Sequence, residues 1–490
     1  MRLKHFYKIV FLLIVTGFSV SCSKNGDEDP QLSVSAKTVS FEPEGGTSEE
    51  ITIEANSTWS ISNSATSWLQ LSKTSGDNGT TATTITAASN ETQYTRTVVL
   101  TVEAGNGQAR RITITQTGNL YPSYNLTPKA PDETGMSSTA VQLAAKMHMA
   151  INFGNTMESP VEGEWNSKIT LNYVKFVKQL GFNTVRIPTG WVWSHLSDPD
   201  KMKIDPAWLT RVHEVVKWCV DNDMYVMLNA HGDDGWLEKN VNAANQETIN
   251  AKLKAIWQQI ATEMRDFDEH LIFAGTNEPS VDNAEQMTIL NGYHETFIKA
   301  VRATGGKNSY RVLVVQGPST DIIKTSQLLT PTTLPHDPVP NRMMLEVHFY
   351  GPWHFNLPKD GVYNADTKAS YYWGAGNHSI IEPLRNAPDG EEDDLRVELG
   401  KIKKFVDAGI PVMLGEYATW RRSAEHGDVQ IPLDTEMHNK SVDAWTTFVT
   451  KTAKANGMVP FLWEIGFMLD RANNKVKDQA MLDAVKAGYN

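Results

Sequence analysis

Two acidic residues stand in settings that suggest chemistry. Glu278 follows an apolar run in Gly275-Thr276-Asn277-Glu278-Pro279, and Glu416 closes another in Met413-Leu414-Gly415-Glu416-Tyr417. Two carboxyl groups over one mouth suit glycosidic cleavage, because one can protonate the leaving oxygen while the other attacks the sugar carbon. A retaining reaction needs them about 5–5.5 Å apart. A lone carboxylate in such a place is more often a surface ion pair; the company of Asn277, His348 and Tyr350 argues against that here. A nucleophilic carboxylate needs a lowered pKa, which a nearby Arg supplies, and a general acid needs a raised one.

The elements that must bring the two together are legible from residue 140 onward. Short β-branched runs alternate with longer amphipathic segments. Strands are expected over 146–154, 183–188, 224–231, 270–278, 310–317, 343–350, 411–417 and 459–465. Helices are expected over 168–180, 206–222, 246–265, 284–303, 394–408, 439–455 and near 477–488, with a short or irregular one after the fifth strand. Eight alternating units predict an α/β fold, a (β/α)₈ TIM barrel, whose chemistry sits at the C-terminal strand ends. Those ends read Asn152, Arg186, His231, Asn277 with Glu278, Gln316, His348 with Tyr350, Glu416 and Trp463. Strands four and seven face each other across such a barrel. Glu346, His348 and Tyr350 alternate along strand six and so point inward together, with Glu346 expected as a buried structural charge beside Arg186 or His231.

Upstream of the barrel, residues 31–118 carry period-two alternation such as Val98-Val99-Leu100-Thr101-Val102, punctuated by Gly-rich turns. That predicts an all-β, immunoglobulin-like sandwich of about seven strands. Residues 119–133, with three Pro, read as a linker, and 134–490 as the barrel domain. Met1 to Ser21 has a basic start and a short apolar run, which is the pattern of a signal peptide. Cys22 is expected to be lipidated, and residues 22–30 to form an acidic tether.

Lys plus Arg number 45 against 57 for Asp plus Glu, a formal charge of −12. That balance excludes a nucleic-acid footprint and favours a neutral substrate. Two cysteines exclude a disulfide framework, and Cys219 reads as core. Trp191, Trp193, Trp236, Trp353, Trp373 and Trp420 fall just beyond strand ends, where several should stack on sugar rings. Trp208, Trp218, Trp257 and Trp445 fall in helices and read as core. Trp59 and Trp68 of the sandwich are as readily core as sugar platforms. The insertion 351–393 could wall a groove. Asp233-Asp234 beside His231 lacks the paired histidines of a hydrolytic metal site, so no metal and no cofactor are expected.

Residues 140–490 resemble glycoside hydrolase family 5, and most its subfamily 4. The matches are Gly154-Asn155-Thr156-Met157-Glu158-Ser159, Val185-Arg186-Ile187-Pro188, Asn229-Ala230-His231, Asn277-Glu278-Pro279, Val347-His348-Phe349-Tyr350, Gly415-Glu416 and Trp463. The resemblance implies retaining hydrolysis, with Glu278 as acid/base and Glu416 as nucleophile. It implies that Asn277 binds the sugar 2-hydroxyl, that Arg186 and Tyr350 position the nucleophile, that His231 and His348 complete the hydrogen-bond shell, and that Trp463 stacks under the sugar. Asn155 and Trp236 are expected to touch substrate as well. The sequence departs from the pattern at His231-Gly232, where many relatives carry a second His, at Glu464 after Trp463, and at Met157-Glu158-Ser159. Residues 31–118 resemble the BACON domain through Ala55-Asn56-Ser57-Thr58-Trp59-Ser60-Ile61, Trp68-Leu69, Ser89-Asn90, Arg96-Thr97 and Ile114-Thr115-Gln116-Thr117-Gly118. The acidic tether resembles those of Bacteroidetes surface lipoproteins, which implies the outer membrane, with the periplasm as the alternative. Together these imply a monomeric endo-β-1,4-glucanase that meets β-glucan polysaccharide and touches membrane only through its anchor. Xyloglucan, mixed-linkage glucan and cellulose-type chains are the implied substrates. An endo-xylanase or mannanase, or a catalytically silent glycan-binding lipoprotein, are the alternatives.

Overall fold

A computed structural model of the chain describes residues 31–490 except 91, 363, 365, 425 and 426. The expected signal peptide (1–21), lipidated Cys22 and tether (22–30) lie outside the described residues. The chain divides into two compact units after Asn119.

In the second unit, eight parallel strands close into a barrel in sequence order: β1 Ala150–Asn152, β2 Thr184–Ile187, β3 Tyr225–Asn229, β4 Leu271–Ala274, β5 Leu313–Asp321, β6 Met343–Phe349, β7 Val412–Tyr417 and β8 Met458–Leu462. Closure comes from β1 pairing with β8 through Ala150↔Phe461 and Ile151↔Leu462. Every residue of β2, β3 and β4 is buried. Both faces are covered, which is why these strands read as continuous apolar runs and not as alternating ones. The helices expected between them are present, with two adjustments. The predicted 394–408 helix is two, Glu392–Gly400 and Lys403–Asp407, and β4 stops at Ala274, so Asn277 and Glu278 stand on a loop.

Alternation along the strands sorts the barrel into layers. Outward residues such as Val185, Leu228, Phe273 and Leu345 pack against the helices. Inward residues Ala150, Met227, Ile272, Val314, Met344, Met413 and Phe461 fill the barrel's lower half. Two residues further along, the inward positions become Asn152, Asn229, Gln316 and Glu346, all buried. A polar layer therefore rests on an apolar plug, and only the mouth above it is wet.

β7 breaks this alternation. Met413 points inward and Leu414 outward, so a regular strand would turn Gly415 in and Glu416 out. Pairing with β6 instead jumps from Val347↔Leu414 to His348↔Glu416. The extra residue is a bulge that re-aims Glu416 into the mouth. Gly415 must lack a side chain there, since a Cβ would stand 2.0 Å from Glu346 Oε1.

The segment expected as a linker, 119–133, makes ordered contacts with the barrel from Tyr124 onward. Tyr124 N–H donates to Gln258 Oε1 at 2.8 Å, and Lys129–Pro131 pairs with Gly305–Gly306, so the segment is strapped onto the barrel. The first unit has eleven short strand segments in three sheets where about seven longer strands were expected, because turns at Gly45-Gly46 and Asp77-Asn78 break the runs. Trp59 is buried in its core and Trp68 lies under Arg96, whose guanidinium carbon is 4.2 Å from the ring centroid.

Replacing Gly415 with Ala should destabilise the barrel by about 1–3 kcal/mol. Thermal unfolding checks this, and an unchanged melting temperature would contradict the contact with Glu346.

Candidate active site

Arg186, on β2, is fully buried and organises the mouth. Its Nη1 donates to Asn152 Oδ1 at 3.0 Å and to Glu416 Oε1 at 2.8 Å. Its Nη2 donates to Asn277 Oδ1 at 2.6 Å, and its Nε lies 2.9 Å from Glu346 Oε1. One cation on β2 thus touches residues from four other strands or their loops.

Glu416 is buried with both oxygens engaged, Oε1 by Arg186 and Oε2 by the Tyr350 hydroxyl at 2.8 Å. Glu278 opens to the cleft, its side chain 45% exposed. The two carboxyl groups and the His348 ring nitrogen come within 4.8 Å of one another. His348 Nδ1 is 2.6 Å from Glu278 Oε1, and its Nε2 is 3.3 Å from Glu346 Oε1. Gln316 donates to the other oxygen of Glu346 at 2.6 Å. Glu346 is therefore the buried partner of Arg186 and of His348, not of His231.

The electrostatics depart from expectation. Burial favours a neutral His348, but Glu416, Glu278 and Glu346 outweigh it and raise its pKa to about 10. Burial also favours a protonated Glu278, yet the hydrogen bond from charged His348 holds its carboxyl below the ordinary value. Glu416 lies above the ordinary value, because burial outweighs the opposing pull of His348 and Arg186. The order anticipated from Arg186 alone, nucleophile low and acid high, is reversed. The cause is the imidazolium placed against Glu278.

His231 is driven neutral by burial and by the charges of Arg186 and His348. Its ring stacks on Trp463, with centroids 5.8 Å apart and planes 9° from parallel. Trp463 in turn backs onto Gly154, where a Cβ would come within 3.2 Å of the indole. Asn155 follows in a left-handed conformation at φ 57°, and its N–H and that of Thr156 donate to Glu158. Trp236 is half-buried against the core.

Several rim residues prove structural. Trp191 and Trp373 are fully buried, their indole N–H groups donating to the carbonyls of Asn229 and Gly390. The loops fold back, so these two are core and not platforms. Trp420 is half-buried beneath Arg422. Trp193 and Trp353 are 49% and 54% exposed. The helical Trp208, Trp257 and Trp445 are buried as expected, and Trp218 lies under Arg211. Asp233 accepts the N–H groups of Trp191, Val192 and Trp193, and Glu464 accepts those of Gly466, Met468 and Leu469. Both carboxylates thus brace loops.

Two features were not anticipated. Trp165, after β1, is 47% exposed and sits 6.2 Å from Trp193, centroid to centroid. Glu238, after β3, accepts the backbone N–H of Glu278 at 2.8 Å. Nothing in the spacing marks either one, because both are brought in by loops.

A cleft of about 660 Å³ leads from Glu278 past Tyr350 and Trp353 to His354 and Asp389. A second cavity of about 370 Å³ lies at the opposite end of the barrel, beside Met147, Pro460 and Tyr489, far from the carboxyl pair. Glu278, His348 and Glu416 are close enough to ligate a cation. As a donor set they fit one poorly: His348 donates through Nδ1, and Glu416 already accepts from Arg186 and Tyr350.

Residues 146–468 match the family model described as cellulase (glycosyl hydrolase family 5), and residues 31–119 match one described as a viral BACON domain. The chain is 34% identical to the xyloglucan-specific endo-beta-1,4-glucanase BoGH5A of Bacteroides ovatus over 510 aligned residues, covering 99% of this chain and 97% of that protein. Among solved structures, the Bacteroides ovatus GH5 xyloglucanase in complex with a XXXG heptasaccharide aligns with a TM-score of 0.68 at 32% identity, covering 94% of this chain and all of that one. XEG5B, a xyloglucan-specific beta-1,4-glucanase from a ruminal metagenomic library, aligns with a TM-score of 0.64 at 36% identity over 72% of this chain and 96% of its own. The carboxyl pair at the mouth of a closed eight-stranded barrel and the full-length similarity agree: the chain belongs to glycosyl hydrolase family 5 and carries a BACON module ahead of its barrel.

Proposed function

We propose that this glycoside hydrolase is a retaining endo-β-1,4-glucanase whose preferred substrate is xyloglucan, with Glu416 as nucleophile and Glu278 as acid/base. One observation carries the mechanism: the two carboxyl groups approach within 4.8 Å. Inverting enzymes separate theirs by about 6.5–9.5 Å to admit a water, so the closer approach supports the retaining route.

The sequence of events follows from which group is fixed and which is open. Arg186 and Tyr350 hold both oxygens of Glu416, so its carboxylate has a set direction of attack. It bonds to the anomeric carbon as Glu278 passes a proton to the departing glycosidic oxygen. Glu278 then takes a proton from water, and that water's oxygen displaces Glu416. Asn277 has its oxygen fixed on Arg186, which leaves its amide beside the position of a sugar 2-hydroxyl. The stacked His231 and Trp463 make an apolar floor below the same ring.

Exposed indoles support a long substrate. Trp353 lines the cleft beyond β6, and Trp165 and Trp193 form an exposed pair on the loops after β1 and β2. Several indole surfaces on the strand-end loops suit a long polymer cut within its chain. The xyloglucan preference rests on the two relatives whose names specify that polymer and whose likeness covers most of this chain. A polymer of that size is met outside the cell, in keeping with a leader-like N-terminus.

Reducing-end release and product sizing on tamarind xyloglucan, barley β-glucan, carboxymethylcellulose, xylan and mannan test this reading. Xyloglucan should be cut fastest and give short branched oligosaccharides early. Glu278→Ala and Glu416→Ala should each lose at least about a thousandfold in kcat while polysaccharide binding survives. Fastest turnover of xylan or mannan, or near wild-type rates in either variant, would overturn it.

The acid limb of the pH profile offers a second test. Glu416 must be ionised to attack, and burial raises its pKa. Activity should therefore fall as pH drops through a value above 4.5, the ordinary value for Glu. An acid limb well below 4.5 in kcat/KM would contradict that environment.

A further inference from the structure

Glu238 begins the short turn Glu238–Asn240 that follows β3, seven residues past His231. It is tied to the loop carrying Glu278 at two points. Its Oε1 accepts the Glu278 N–H at 2.8 Å, and its own carbonyl accepts the Ser280 N–H at 2.9 Å. The loop 277–280 follows the end of β4 and is not part of the barrel ladder. Asn277, next to Glu278 on this loop, is held through its oxygen by Arg186.

We propose that Glu238 is a positioning residue for the acid/base step: it fixes the backbone at Glu278 and sets the electrostatic surroundings of that carboxyl group. An acid that must meet a glycosidic oxygen within hydrogen-bond reach cannot drift with its loop, and misplacement of about 1 Å costs on the order of a hundredfold. The charged groups facing Glu238 are Glu278 and Glu416. An ionised Glu238 opposes ionisation of Glu278, so it keeps the proton on the acid to higher pH. The inference rests on Glu278 being the acid.

Aryl β-cellobiosides of graded leaving-group acidity test it, because a 2,4-dinitrophenolate departs without a proton and a phenolate does not. For Glu238→Ala, kcat/KM should fall at least about tenfold more on the phenyl than on the dinitrophenyl glycoside. For the isosteric Glu238→Gln, the alkaline limb of kcat/KM should move to lower pH, with the melting temperature within a few degrees of wild type. A loss equal on both glycosides, no loss on either, or an unmoved alkaline limb would overturn the proposal. Glu278→Ala run alongside separates the two readings. If that variant shows no leaving-group dependence, Glu278 is not the acid; if it does and Glu238→Ala does not, only the role of Glu238 falls.

Discussion

A buried guanidinium sets the terms for the rest of the mouth. Arg186 has no solvent contact, and a charge so placed persists only when it is paired and hydrogen-bonded. Glu346 and Glu416 share it, and Asn152 and Asn277 take its remaining N–H groups. Losing one partner of such a buried pair costs about 3–5 kcal/mol, because the other charge stays behind uncompensated. The arrangement is thus held by the stability of the barrel itself. The group that directs Glu416 and orients Asn277 is the same one that cannot be left unpaired.

Other details follow from that demand. Glu346 needs room beside Arg186, and the room comes from Gly415, which has no side chain. Gly415 is also the extra residue of the β7 bulge, so the position that admits Glu346 turns Glu416 inward. His348 joins the opposite side of Glu346 and carries a positive charge because three carboxyl groups surround it. Arg186, His348 and three carboxyl groups are thereby packed above an apolar plug. In that low-dielectric setting a small change of geometry changes the proton distribution, and the fixed partners keep geometry small in its variation.

Much of this was readable from the chain alone. Each strand announces itself as an apolar run, and the polar residue that ends it marks the mouth, as with Arg186 after Thr184-Val185 and His348 after Val347. Alternation placed Glu346 with His348 on one face, as found. What could not be read came from loops and from the third dimension. Trp191 and Trp373 look like rim platforms by position, but their loops fold inward and satisfy both indole N–H groups on backbone carbonyls. Trp165 and Glu238 reach the site across loops whose paths leave no periodic trace. Charge order failed for a related reason: Arg186 was visible as a partner for Glu416, whereas the 2.6 Å contact of His348 with Glu278 depends on where the β4 loop turns.

Double displacement at this site requires Glu416 to form a bond to sugar. Incubating the enzyme with 2,4-dinitrophenyl 2-deoxy-2-fluoro-β-cellobioside, followed by proteolysis and mass spectrometry, measures that directly, since the fluorine slows release of a covalent intermediate. The account predicts a single fluorocellobiosyl adduct on Glu416, absent from Glu416→Ala. An adduct on Glu278 or Glu346, or no adduct together with products of inverted anomeric configuration, would contradict it.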